Sequence, residues 1–107
     1  MTTIDEGQSL VTLVNVFDVN PAKADELVAL LNEATEGVMR DLPGFVSANI
    51  HKSLDGSRVI NYAQWRSKED FEAMRSNSRA GPHMKAAAEL AEKFDPTLCE
   101  VVAVHSA

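Results

Sequence analysis

The chain has 107 residues, which is the length of one ordinary domain. Ten Lys and Arg against sixteen Asp and Glu give a formal net charge of −6, so the sequence lacks the basic surface that binding to nucleic acid or to an anionic membrane requires. A hydrophobic content of 45% is too high for a disordered chain, yet no apolar run is long enough to span a membrane.

The single cysteine and the N-terminal residues bear on the expected metal content and location of the protein. Cys99 cannot form an intramolecular disulfide or a cysteine-built metal site on its own, and residues 1–8 lack the basic and apolar regions of a secretion signal. We therefore expect a cytoplasmic protein without a metal site. Residues 1–8 are predicted to be a flexible segment, followed by a single domain over residues 9–107.

The first half of the chain predicts a strand and then a helix. Segment 9–18 is rich in Val, Leu and Phe, which favours a strand. Asn20 followed by Pro21 is typical of a helix start, and apolar residues at spacings of three, four and seven continue the helix to Val38. Pro43 ends it, because proline removes a donor and disfavours helical geometry in the residue before it.

The second half predicts a β-hairpin, a helix in two pieces and a last strand. The dipeptide Asp55-Gly56 is a strong hairpin signal, and Ser67 resembles a helix cap. The remaining predicted elements are strands over 45–53 and 58–66, a helix after Ser67 that is interrupted at Gly81-Pro82 and resumed over 83–93, and a strand over 98–105.

The resulting order is β-α-β-β-α-β, which is that of the ferredoxin-like α+β fold. This fold has a four-stranded antiparallel sheet with the first and third strands in the middle and both helices on one face. Val, Ile and Tyr side chains would then lie on an uncovered sheet face. A second sheet is the expected cover, so we predict a homodimer that packs sheet against sheet.

Two amides and one indole stand out on the central strands. A buried amide without a partner costs about 1–3 kcal/mol, so Asn15 and Asn61 serve either a local backbone contact or a ligand. Asn61 and Trp65 share one strand face by period two, and Asn15 lies on the adjacent strand. The three side chains could line one cavity between the sheet and the helices, although burial alone would also explain a tryptophan.

The roles of two histidines stay open at this point. If the hairpin loop has two residues, Ile50 lies opposite Asn61, whereas a loop of odd length would put His51 there. His83 follows Pro82 where the helix resumes, and this position near a helix end favours a solvated or capping histidine over one with a role in the cavity.

The segment Asn61-Tyr62-Ala63-Gln64-Trp65-Arg66-Ser67, together with Leu42-Pro43-Gly44-Phe45, resembles the antibiotic biosynthesis monooxygenase (ABM) family over nearly the whole chain, from about Ser9 to His105. The resemblance implies a dimeric α+β barrel that oxidises an aromatic polyketide-type anthrone or hydroquinone to a quinone with O2 and no cofactor. The residues that it implies are Asn15, Asn61 and Trp65 for catalysis, and His51, Phe71, Met74 and His83 for binding a small aromatic substrate.

Two other functions fit the same fold. A haem-degrading monooxygenase would use Asn15 and an axial histidine near His83, but Met74 stands near the position where such enzymes have a haem-distorting tryptophan. A dimeric ligand-binding protein without turnover would use the same cavity. Phe71 stands where one subgroup of anthrone monooxygenases has a tyrosine, so a tyrosine-based proton relay is not expected in this chain.

Overall fold

One antiparallel sheet forms the first layer of the molecule and three helices form the second. The computed structural model describes residues 1–107. The elements are β1 (Val11–Asp18), α1 (Ala24–Gly37), β2 (Phe45–Lys52), β3 (Arg58–Trp65), α2 (Lys68–Arg75), α3 (Gly81–Leu90) and β4 (Lys93–Cys99), with short 3-10 turns at Pro21–Lys23 and Met39–Asp41. The strands lie in the order β2-β3-β1-β4. The predicted ferredoxin-like α+β fold, with the first and third strands central, is confirmed. None of the helices combines the length and the apolar character needed to cross a membrane.

The helix starts follow from local capping chemistry. The Asn20 Oδ1 accepts a hydrogen bond from the Ala22 backbone N at 2.9 Å, and the Ser67 Oγ accepts one from the Asp70 backbone N at 3.1 Å. Gly81-Pro82, predicted to interrupt a helix, instead begins α3. Proline is tolerated in the first helical turn, because a backbone N–H at that position has no acceptor within the helix.

The last strand differs from the prediction. It covers Lys93–Cys99, so it overlaps the predicted strand over 98–105 only at its end, and Pro96 lies within it. Pairing with β1 sets this register, and it places Pro96 opposite Asn15. A proline is accommodated there because β4 is an edge strand, where a ladder donor is needed on one side only.

The core lies between the sheet and the helices, and it is divided into two apolar clusters. On β1, Leu13 belongs to one cluster and Phe17 to the other, with Asn15 between them. On β3, Ala63 and Val59 flank Asn61 in the same way. The two asparagines therefore occupy the boundary at which apolar packing is interrupted.

The opposite sheet face carries no helix, but the N-terminal segment lies against part of it. The Gln64 side chain is 1% exposed; its Nε2 donates to the Thr3 carbonyl at 2.7 Å, and its Oε1 accepts from the Ser47 Oγ at 3.0 Å. The amides of Gln64 and Asn49 on this face hydrogen-bond to Thr3 and Thr2, while the flexibility of residues 1–8 stays a prediction.

Candidate functional site

A partly open cavity of about 390 Å³ lies between the helical face of the sheet and the helices. Its wall consists of 17 residues, of which 11 are hydrophobic, drawn from β1, β3 and β4 on the sheet side and mainly from the three helices on the other. A volume in the range of about 300–1,000 Å³ with mainly apolar walls and a few polar groups is typical of small-molecule sites. The cavity therefore suits a compact apolar ligand.

Two amides form the polar part of the sheet wall. Asn15 and Asn61 are direct partners in the β1–β3 register, and directly opposed residues have Cβ atoms about 4.5–5.5 Å apart. The Oδ1 atoms of both are buried, and neither has a hydrogen-bond partner in the chain. Buried polar atoms in proteins are generally paired, so these two oxygens retain the capacity to accept hydrogen bonds from donors of a ligand.

The ionisable side chains of the cavity wall are all basic, although the chain is acidic overall. They are Arg75 on α2 and His83 and Lys85 on α3, and the wall contains no Asp or Glu. The Arg75 guanidinium carbon lies 6.0 Å from the centre of the Phe71 ring. The three ion pairs of the chain involve other residues, so neither Arg75 nor Lys85 is neutralised by a carboxylate.

Five of the seven residues singled out in the sequence line this cavity, namely Asn15, Asn61, Phe71, Met74 and His83. Trp65 does not. It shares the helical face of β3 with Asn61, as the alternation predicts, but it is 2% exposed and packs edge-on against Phe45 and Phe71, with ring centres 5.5 and 6.2 Å away. Its contact with Phe71 makes it a support behind the cavity wall.

His51 lies on the other face of the sheet. The register pairs Ile50 with Asn61, and His51 is exposed, with its Nδ1 3.2 Å from the Asn49 carbonyl oxygen. The hairpin loop leaves Lys52 paired with Val59, which keeps the even spacing that places Ile50 on the helical face. The structure thus removes His51 from the cavity.

The sequence did not single out several wall residues. Phe94 and Pro96 belong to β4 and reach the cavity because that strand begins earlier than predicted. Arg75 follows Phe71 by four residues on α2, and this spacing could have indicated a shared helix face. No cluster of three or more His, Cys, Asp or Glu side chains capable of holding a metal ion is present.

Comparison with known proteins identifies the family of this chain. The model of the family described as "Antibiotic biosynthesis monooxygenase" matches residues 10–90. This chain belongs to the antibiotic biosynthesis monooxygenase family. A tetracenomycin-F1 monooxygenase of Streptomyces glaucescens is 48% identical over 101 residues, covering 94% of this chain and 89% of that protein. The chain is therefore a monooxygenase, as the resemblance implies.

Solved structures agree with this assignment. The monooxygenase ActVA-Orf6 of Streptomyces coelicolor, solved in complex with nanaomycin D, is 27% identical and superposes with a TM-score of 0.81 over 91% of each chain. SnoaB from Streptomyces nogalater, described as a cofactor-independent oxygenase, is 24% identical, with a TM-score of 0.70 over 86% of this chain and 92% of its own. The similarity to SnoaB supports the fold alone.

Proposed function

We propose that this ABM-family monooxygenase oxidises an aromatic polyketide-type anthrone or hydroquinone to a quinone, with O2 and without a cofactor. The observation that carries the proposal is the pair of unpartnered amide oxygens of Asn15 and Asn61 inside an apolar cavity. The 48% identity to a monooxygenase named for a tetracenomycin supports a polycyclic aromatic substrate.

The cavity provides complementary groups for such a substrate. Flat aromatic rings would lie between apolar side chains, and phenolic hydroxyls would donate to the Oδ1 atoms of Asn15 and Asn61. The Nδ2 groups of the same amides can donate to an oxygen on which negative charge develops. Donors fixed in advance around a developing oxyanion commonly contribute about 2.7–4 kcal/mol each to lowering a barrier.

The electrons of this reaction come from the substrate. In an anthrone, the methylene carbon loses two hydrogens and gains one atom of O2 as a carbonyl oxygen, and the second oxygen leaves with the two hydrogens as water. The residues of the chain bind and orient the rings, exclude water and stabilise the anion that forms when the first proton leaves. The basic side chains Arg75 and Lys85 favour this anion by their charge.

Oxygen uptake with a dihydroxyanthrone, in the presence of a metal chelator, tests the proposal. We expect one O2 consumed for each quinone formed, with isotope-labelled oxygen in the new carbonyl group and no hydrogen peroxide. Oxidation of a hydroquinone without oxygen insertion would instead release hydrogen peroxide, which catalase detects. Binding without O2 consumption would refute turnover, and a Soret shift on titration with haem would redirect the function to haem degradation.

We also infer a homodimer formed by the outer sheet face. Val14, Val16, Ile60 and Tyr62 lie half-buried on this face, which no helix covers. Light scattering should give a mass twice that of the chain. Changing Val16 and Tyr62 together to Lys should give a monomer, whereas Leu54→Lys in the exposed hairpin turn should leave the dimer intact. A monomeric wild-type chain at micromolar concentration would contradict the inference.

A further inference from the structure

The cavity wall contains one side chain with a basic ring nitrogen, that of His83. Among its wall residues, only Arg75, His83 and Lys85 are titratable, and Asp, Glu, Tyr and Cys are absent from it. Arginine stays charged in proteins and lysine is ordinarily charged at neutral pH, so neither offers a lone pair to an acidic C–H group. An amide such as that of Asn15 is not basic. By its chemistry, imidazole is the one proton acceptor that remains.

The contacts of His83 fix which ring nitrogen is available. Its Nδ1 lies 3.3 Å from the backbone carbonyl oxygen of Arg79, one turn earlier in the chain. A carbonyl oxygen can only accept, so the hydrogen of this bond belongs to Nδ1. In a neutral imidazole, Nε2 then carries the lone pair. The ring is half-buried, on α3, and it lines the cavity across from the sheet that carries Asn15 and Asn61.

We propose that His83 is the catalytic base of this enzyme. This rests on the proposed function, since an anthrone must lose a proton from its methylene carbon before it reacts with O2. The C–H bond breaks, an N–H bond forms at Nε2, and the electron pair remains on the substrate as an anion spread over the rings and the carbonyl oxygen. After O2 adds to the carbon, the imidazolium returns the proton to the peroxide oxygen, and loss of water then gives the carbonyl product.

The basic side chains of the wall complement this step. Proton transfer to His83 creates one positive charge on the protein and one negative charge on the substrate. Arg75 and Lys85 belong to the wall of the same cavity and form no ion pair, and although both are exposed and screened by solvent, their positive charge favours an anion there. The amides of Asn15 and Asn61 on the opposite wall supply donors for its oxygen. Base and anion stabilisers thus approach the ligand from different sides.

Hydrogen–deuterium exchange without oxygen isolates the proton transfer from the oxidation. A dihydroxyanthrone is incubated anaerobically with the enzyme in D2O, and NMR follows deuterium at the methylene carbon. Wild-type enzyme should exchange faster than the buffer background. His83→Gln should catalyse the exchange at least about tenfold more slowly, since a positioned base commonly accelerates proton transfer by about 10²–10⁴-fold. His105→Gln, in the C-terminal segment, is the matched control and should retain it.

The possible results distinguish a failure of the proposal for His83 from a failure of the proposed oxidation. In His83→Ala, added imidazole should restore exchange, a rescue that a merely structural role would not give. If His83→Gln exchanges and oxidises at the wild-type rate, His83 is not the base, and the oxidation itself stands. If wild-type enzyme neither exchanges the anthrone protons nor consumes O2 with the dihydroxyanthrone or a hydroquinone, both proposals are overturned. Should His83→Gln fail to fold, as melting would reveal, imidazole rescue of His83→Ala decides.

Discussion

Replacing Asn61 by Leu should make the protein more stable and less active. The Asn61 Oδ1 is buried without a partner, and such an atom costs about 1–3 kcal/mol of folding free energy. Leucine has a similar shape and no polar atom, so Asn61→Leu should raise the free energy of unfolding by about that amount. At roughly 4–8 °C per kcal/mol for a domain of this size, the rise in Tm is readily measured by calorimetry.

The same substitution removes a donor from the cavity. If the amide stabilises the substrate anion, kcat for anthrone oxidation should fall by about 10²–10³-fold. Asn49→Leu is the matched control, because the Asn49 Nδ2 donates to the Tyr62 carbonyl and to the Thr2 hydroxyl on the other sheet face. Two lost hydrogen bonds at about 0.5–1.5 kcal/mol each should lower its Tm. A lower Tm with unchanged kcat in Asn61→Leu would show that the amide serves structure only.

Further outcomes follow from individual side chains. Trp65→Phe should lower the free energy of unfolding by about 1–3 kcal/mol, because it loosens aromatic packing behind the cavity. Its kcat should change by less than about tenfold. A fall in kcat as large as that of Asn61→Leu would place the indole in catalysis. Gly44→Ala should destabilise by at least about 1–2 kcal/mol, because Gly44 has a φ of +82° and an added Cβ would overlap a side chain of α2. Gly37→Ala meets open space in a helix and should stabilise by about 0.4–1 kcal/mol, and both glycine variants are compared by chemical denaturation. Hydrogen bonds from Ser57 lower the pKa of the Asp55 carboxyl to about 2 from 3.8, so its contribution to stability is complete above pH 4 and is lost as the pH falls towards 2. Asp55→Asn should therefore flatten the decline of Tm in that window, and an unchanged slope would contradict the assignment.

The sequence by itself determined the order of the elements and the direction of most side chains. Apolar spacing on α1, the cap at Asn20 and the turn at Asp55-Gly56 are local signals, and they depend on neighbours a few residues away. Period-two alternation likewise placed Asn61 on the same strand face as Trp65. These inferences succeed because backbone geometry fixes side-chain direction once the type of element is known.

Only the tertiary structure decided how deep each side chain lies and what it meets. Trp65 lies behind Phe71 rather than at the cavity, because packing between β2, β3 and α2 fills the space in front of the indole. The register of the hairpin places His51 on the outer face of the sheet, and pairing of β4 with β1 includes Pro96 in an edge strand. Arg75, His83 and Lys85 meet at one cavity through the docking of two helices on the sheet. Such convergence depends on contacts between residues far apart in the chain, which local periodicity does not encode.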